Sequence, residues 1–565
     1  MIKIFQNREV TLPRAGIFTL FVLFLIVFLI YPLSNSFTQA WIVEGKFTAL
    51  YFKLMLSSPG QWEIIANSIN IAISTTALVS LIAIPLSVLM VRRNFPLKRF
   101  FGSLLLVPLL LPPFVGALGF AQLAGRFGSI NLILLKFGIV SAPIDWLGSL
   151  KPFGIVLLQA LHLFPILYLN VAASLSNINA SLEDAAASVG SSKSNTFKSV
   201  IFPLIFPAFF ASASIVFVAS LTDLGTPLLF EYRRVLSVQI YNMLSDIHQN
   251  PMGYSVVVFV ALLCITAFIA SQAVLCGKHL QMGGKGHTRL AQKKIAGVSQ
   301  LFPTIFVGLL LTLSFLPHIG VLLMAFSDKW FMTVMPESFT FRYFLGVFVH
   351  PTTSVSLKNS IFLSVASTIL DLVGGFLVAW FLTRTKFPGK NVLEFISILP
   401  LAVPGIIFAF GYLSAFTGTF LDARVNPLPL LVIAYGVRKL PYMIRSTTSG
   451  FQQASVTLEE AAKTVGASFG TIYKRITIPL VATHLIAGSI LCFSFAMLEV
   501  SDSLILAMEE RYFPVSKALF ALTQRPDGVP LACALSVILM VVIAASLWGS
   551  AKLVGRDVAE FFKIQ

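Results

Sequence analysis

Two segments share a spacing of acids, alanines, a glycine and a proline that suits a helical docking element. The first runs Glu183-Asp184-Ala185-Ala186, three residues to Gly190, then through Val200 to Phe202-Pro203. The second runs Glu459-Glu460-Ala461-Ala462, three residues to Gly466, then through Ile476 to Ile478-Pro479. Ser181 or Asn179 can cap a helix N-terminus in the first copy, and Thr457 can do so in the second. Acids in the first turn complement the helix dipole. The alanines leave a thin face that another protein's groove can approach closely. The glycine ends or turns the short helix, and the proline opens the next one. This is docking chemistry, not catalysis.

The other residues with chemical potential are acids in apolar surroundings. Asp223 lies in ASLTDLGTPLLF; its counterpart 276 positions later is Glu499 in AMLEVSDSLIL, with Asp502 one helical turn on. An unpaired carboxylate in such a setting must find water, a basic partner or a cation. These three are the expected translocation-pathway residues. The alternative is that they sit at the outer interface, cap a helix, or pair with Arg233 or Arg511. Asp371 lies in another apolar run, where its counterpart is Val79. His162, His318 and His484 stand singly and read as packing or interface residues. The four cysteines (Cys264, Cys276, Cys492, Cys533) lack metal-ligand spacing. No Ser/His/Asp arrangement points to a nucleophile, and G-x-x-x-x-G-K-[ST] is absent. The chain reads as no enzyme and as binding no cofactor itself.

The elements that must position these residues are membrane helices. Of 565 residues, 57% are apolar and only 11% charged, against about 25% charged in soluble domains. Lys and Arg number 40 against 23 Asp and Glu, but they fall between apolar runs, where they orient a membrane protein rather than bind nucleic acid. Twelve runs are long enough to cross a bilayer. They lie near 15–33, 64–91, 103–125, 153–175, 200–222 and 252–276, and near 302–326, 356–383, 392–417, 428–447, 476–506 and 529–551. The basic segments 1–14, 92–99, 278–294, 384–390 and 552–563 fall on one side. The expectation is therefore an all-α, multi-pass protein of about twelve spans with both termini in the cytoplasm.

The chain repeats internally. Asn67-Ser68-Ile69 returns as Asn359-Ser360-Ile361, and Pro108, Pro112 and Gly119 match Pro400, Pro404 and Gly411, all at an offset of 292. Beyond a shortened outer loop the offset is 276, which aligns LEDAAASVG with LEEAAKTVG. The domain reading is a first six-span repeat over 1–276, a Gly- and Lys-rich cytoplasmic linker over 277–299, and a second repeat over 300–565. Parallel repeats imply a pseudo-two-fold axis along the membrane normal with a pathway between the halves. The matched prolines should kink or interrupt the third helix of each half.

The paired segments 181–203 and 457–479 resemble the EAA loop of ABC importer permeases: EAA, three residues, G, nine residues, I-x-L-P. Asp184 replaces the motif glutamate, and Phe202 and Ile478 replace its leucine. With two copies in a twelve-span repeat, the chain resembles the fused, two-permease type I importers of the ferric-iron, thiamine and phosphonate-like group. The resemblance implies a bacterial inner-membrane permease working by alternating access. It implies two copies of an ABC ATPase subunit that use ATP and Mg, and a periplasmic or extracellular solute-binding protein. In that family the short helix docks in a cleft of the ATPase, which assigns Glu183, Asp184, Ala185, Ala186, Gly190 and Pro203, with Glu459, Glu460, Ala461, Ala462, Gly466 and Pro479, to coupling. Ferric iron is the expected substrate, because hard cations prefer oxygen ligands and the pathway acids supply them. A phosphonate, thiamine or another small polar solute is the alternative, and an ion-gradient-driven secondary transporter is the alternative class.

Overall fold

The computed structural model describes residues 12–43, 45–110, 113–146, 151–244, 252–276, 293–294, 300–385, 389–525 and 527–554. The linker expected at 277–299 lies outside these residues apart from Lys293–Lys294, which pairs in parallel with Arg93–Asn94. Pro112 also lies outside them, as do the chain's two ends. Helix dominates because a backbone in hydrocarbon must satisfy its own hydrogen bonds. Among the described residues, ten helices are long and apolar enough to cross a membrane, or eleven if one bent pair counts as a span. The expected run 428–447 is the helix Pro427–Gln453, less apolar than the others because it carries Arg438, Lys439 and Arg445.

The repeat is visible element by element. The second and eighth spans are unbroken 34-residue helices, Pro59–Arg92 and Pro351–Arg384. The third and ninth are interrupted. Lys98–Leu104 is followed by a 3₁₀ turn, Val107–Leu110, and by Pro113–Ala124. Lys390–Leu401 meets Gly405–Phe416 at a bend of 104°. Pro108 sits in the first break; Pro400 and Pro404 sit in the second. The fourth and tenth spans are Lys151–Ser176 and Pro427–Gln453; the fifth and eleventh are Phe202–Thr222 and Ile478–Met497. The expected run 476–506 thus stops at Met497, and Ser501–Leu506 forms a separate short helix. The sixth and twelfth spans are Met252–Cys276 and Gly528–Val554.

The first helix of each half packs on the broken third helix of the other half. The first span, Gly16–Trp41, crosses the ninth at Gly411, where a Cβ would lie 2.9 Å from the Pro32 carbonyl. Tyr412 Oη donates to the Phe28 carbonyl at 2.6 Å, and Asn35 Nδ2 donates to Ser414 Oγ at 2.9 Å. The seventh span, Leu301–Phe326, crosses the third backbone to backbone. A Cβ on Gly119 would lie 2.0 Å from the Pro317 carbonyl oxygen, and one on Gly320 would lie 2.4 Å from that of Gly119. Small residues at a crossing let membrane helices gain van der Waals contact that longer side chains would hold apart. The glycines matched by sequence, Gly119 and Gly411, are therefore the points where the halves interlock.

At the end of the bundle away from the basic loops, the matched Asn-Ser pairs have a definite task. Ser68 Oγ accepts from the Leu236 backbone N–H at 2.8 Å, and Ser360 Oγ accepts from that of Val515 at 2.7 Å. Asn67 Nδ2 donates to the Arg234 carbonyl, while Asn359 Nδ2 donates to those of Arg511 and Phe513. Each pair pins the start of a short helix, Leu236–Asn242 or Val515–Thr523. Those helices meet each other: Tyr241 and Phe520, at equal positions in their helices, stack edge-on with centroids 6.5 Å apart.

Gly119→Val should abolish folded protein, because the new side chain meets backbone that cannot move aside. Gly308→Val on the seventh span, where a Cβ meets nothing within 4 Å, should be tolerated. Membrane abundance and thermal stability in detergent compare the two.

Candidate functional site

The two EAA-type segments fold alike. Ala180–Ser188 and Val456–Thr464 are nine-residue helices. Their caps are Asn179, accepting from the Ser181 N–H at 3.1 Å, and Ser455, accepting from the Thr457 N–H at 3.3 Å. Thr457 is thus the second helical residue rather than the cap, because Ser455 is the residue with extended backbone angles. Gly190 and Gly466 have φ of +80° and +81°. There the N–H of Ser191 reaches the Ala186 carbonyl, and that of Ala467 reaches the Ala462 carbonyl, both at 3.0 Å. This left-handed closure is open to glycine without strain. A π-helical turn follows each glycine, and Pro203 or Pro479 then begins the next span.

An arginine ties each short helix to the membrane domain. Arg92, last residue of the second span, grips Glu183 through two contacts of 2.5 and 2.8 Å. Arg384 stands at the same place on the eighth span and contacts Glu459 at 3.1 Å. Its guanidinium also donates to the Phe451 and Ala454 carbonyls, and Thr477 donates to the same Glu459 oxygen. The second clamp is the more buried: its side chains are 7% and 6% exposed, against 19% and 27% in the first. Asp184 and Glu460 point to the surface, and the outward faces carry matched apolar residues. Val189 and Val465 are each 84% exposed, with Leu182 and Leu458 nearly half exposed.

Between the halves lies a cavity of about 400 Å³. The fourth and fifth spans form one wall with Gln159, His162 and Asp223. The break of the ninth span, Pro400 to Gly405, and the tenth span's Arg438 and Lys439 form another. Of the three expected pathway acids, Asp223 lines this cavity. Glu499 and Asp502 are sealed behind the basic pair, 5% and 0% exposed. Arg438 Nη1 binds Glu499 and lies 3.0 Å from Asp502, and Lys439 Nζ lies 2.5 Å from Glu499. The partner of Glu499 is therefore not Arg511, which pairs with Glu509. Sequence reading missed these basic partners because they lie 60 or more residues away on another helix. The available signal was a pair of charges in the middle of a span. Arg438 rests on Gly405, where a Cβ would come within 2.3 Å of its Nη1. Asp371 is fully buried between the eighth, tenth and eleventh spans, and His162 lines the cavity rather than only packing. Among the described residues, no three His, Cys, Asp or Glu side chains cluster as metal ligands would.

Breaking a buried ion pair by removing one partner costs about 3–5 kcal/mol. Arg438→Met should accordingly lower thermal stability strongly, since Glu499 and Asp502 share that guanidinium. Adding Asp502→Asn should recover part of the loss. Equal melting temperatures for the wild-type and Arg438→Met proteins would contradict this.

Comparison with known proteins agrees with the geometry. The family model described as "Binding-protein-dependent transport system inner membrane component" matches residues 80–275 and again 371–554, once in each half. The chain is 25% identical over 458 residues to a ferric transport system permease protein of Actinobacillus pleuropneumoniae, covering 78% of this chain and 64% of that one. It therefore spans slightly less than two thirds of that relative's length. A putative ferric transport system permease protein of Haemophilus influenzae is 24% identical over 85% of this chain and 76% of its own. A molybdate/tungstate transport system permease protein of Pyrococcus furiosus is 26% identical, with 76% of its length matching 35% of this chain. That match corresponds in extent to less than one repeat. The chain is a fused, two-repeat member of the binding-protein-dependent transport system inner membrane components.

Proposed function

We propose that the chain is the membrane permease of an ATP-driven, binding-protein-dependent importer whose substrate is ferric iron. The observation that carries this reading is the pair of clamped helices Ala180–Ser188 and Val456–Thr464, equal in fold and in the apolar residues they expose. Two copies of an ABC ATPase would dock there, one per helix, and supply the ATP and Mg chemistry that this chain lacks. A solute-binding protein would deliver substrate at the opposite end, with the chain in the inner membrane and both termini cytoplasmic. The repeat boundaries 1–276 and 300–565, joined by 277–299, suit this arrangement. The ferric transport relatives favour iron over a phosphonate or thiamine.

The linkage gives a mechanism. Closure of the ATPases draws the short helices together, and each pulls on Arg92 or Arg384. Those arginines end unbroken 34-residue helices, each about 50 Å long at 1.5 Å per residue. Near the far ends, Ser68 and Ser360 hold the short helices that meet at Tyr241 and Phe520. Motion at the ATPase end thus reaches the contact between the halves at the delivery end. The cavity between them would alternate its access as that contact opens and closes.

Val189→Glu and Val465→Glu should each weaken copurification of the ATPase, and the double variant should abolish it. Gly466→Val should remove substrate-stimulated ATP hydrolysis, since a β-branched residue at positive φ costs about 1–2 kcal/mol; Gly466→Asn should retain it. Gly190→Val should be the milder lesion because its clamp is the less buried. Full ATPase binding by the Val189/Val465 double variant would sink the docking assignment.

A further inference from the structure

We propose that Asp223 and His162 form one off-axis transit site for a hard cation, on the first half's wall of the central cavity. The inference rests on the importer reading, since a cation there would be cargo.

Four matched positions around the cavity set the two halves apart in charge. Where the second half has Arg438, Lys439, Glu499 and Asp371, the first has His162, Leu163, Asp223 and Val79. The carboxylate is kept, but both of its fixed cations are gone. Asp223 accordingly makes no ion pair among the described residues. Its donors are neutral: Gln159 Nε2 at 2.9 Å on Oδ2, with the Gly225 and Thr226 N–H groups at 3.1 and 3.4 Å on Oδ1. A carboxylate has about four lone-pair sites, so capacity remains for a ligand. The amide is held in register, because Gln159 Oε1 accepts from Thr75 at 3.1 Å and from Ser220 at 2.6 Å.

His162 is anchored in the way a ligand histidine is. Its Nδ1 lies 2.8 Å from the Pro108 carbonyl. A carbonyl can only accept, so Nδ1 carries the proton, and in the neutral ring the lone pair is then on Nε2. A second-shell carbonyl commonly fixes metal-binding imidazoles in this tautomer. Pro108 belongs to the break in the third span, which gives that matched proline a positioning role. Gln159 and His162 are three residues apart, on one face of the fourth span.

Charge decides which kind of ligand fits. Arg438 and Lys439 also line the cavity, but Glu499 and Asp502 balance them. Among the charges that line the cavity and their ion-pair partners, Asp223 is then the carboxylate with no fixed cation, which favours a cation over an anion. Oxygen with one nitrogen suits ferric iron. Two ligands make a weak site, and a transit site must release what it takes.

The test is ATP-dependent uptake of radioactive ferric iron into proteoliposomes holding the whole complex, supplied by iron-loaded binding protein and compared at equal permease abundance. Asp223→Asn should reduce uptake about tenfold or more, since losing even an outer-shell partner of a metal site costs about 10–100-fold, and Asp223→Glu should restore a substantial share. Leu163→Lys, which gives the first half the second half's cation, should also block uptake. Wild-type rates in Asp223→Asn or Leu163→Lys would overturn the site. So would failure of Asp223→Glu to rescue, which would mark Asp223 as structural. A wild-type complex that hydrolyses ATP with loaded binding protein yet imports no iron would instead overturn the substrate reading, and the site with it.

Discussion

Two arginine–carboxylate pairs hold the short helices to the long ones, and the transmission we propose runs through them. Arg92 and Arg384 make the ion-pair contacts that join the helices Ala180–Ser188 and Val456–Thr464 to the second and eighth spans. With them, each helix is fixed to the last residue of an unbroken 34-residue span. The pairing works because both partners are committed. Glu459 also receives Thr477, and Arg384 also satisfies two carbonyls that end the tenth span. A charge-assisted network of this kind is stronger than its isolated contacts and more specific in geometry.

Charge in the membrane shapes the rest. The second half buries four ionic side chains as a closed set, Arg438 and Lys439 with Glu499 and Asp502. That set seals one wall of the cavity and seats against the ninth span at Gly405. The first half keeps only the carboxylate, held by neutral donors. Two repeats with the same helices thus present an ion-paired wall and one whose carboxylate is held by neutral donors. The interlocked helices keep the walls facing each other, since the first helix of each half is packed into the other at Gly411 or Gly119.

Much of this was legible in the sequence where the signal is local. The short helices, their positive-φ glycines and the prolines opening Phe202–Thr222 and Ile478–Met497 follow from residue type and spacing within about twenty positions. Pro108 and Pro400 marked the broken helices for the same reason. What was not legible is long-range pairing. Nothing local says that Arg92 reaches Glu183, 91 residues on, or that Arg384 reaches Glu459. The Asn-Ser repeat was visible, but its function appeared only when Ser68 was found capping the helix that starts at Leu236, 168 residues away. Residue type alone does not choose between Thr457 and Ser455 as the cap, because both are good acceptors and only backbone angles decide for Ser455.

In the proposed transmission, force passes from the ATPases to the bundle through the two clamps. The direct measurement is the number of ATP molecules hydrolysed per substrate imported, in proteoliposomes carrying the whole complex with Arg92→Met and Arg384→Met together. If the clamps carry the force, hydrolysis continues while import falls, so that the ratio rises several-fold. An unchanged ratio in properly inserted protein would contradict it.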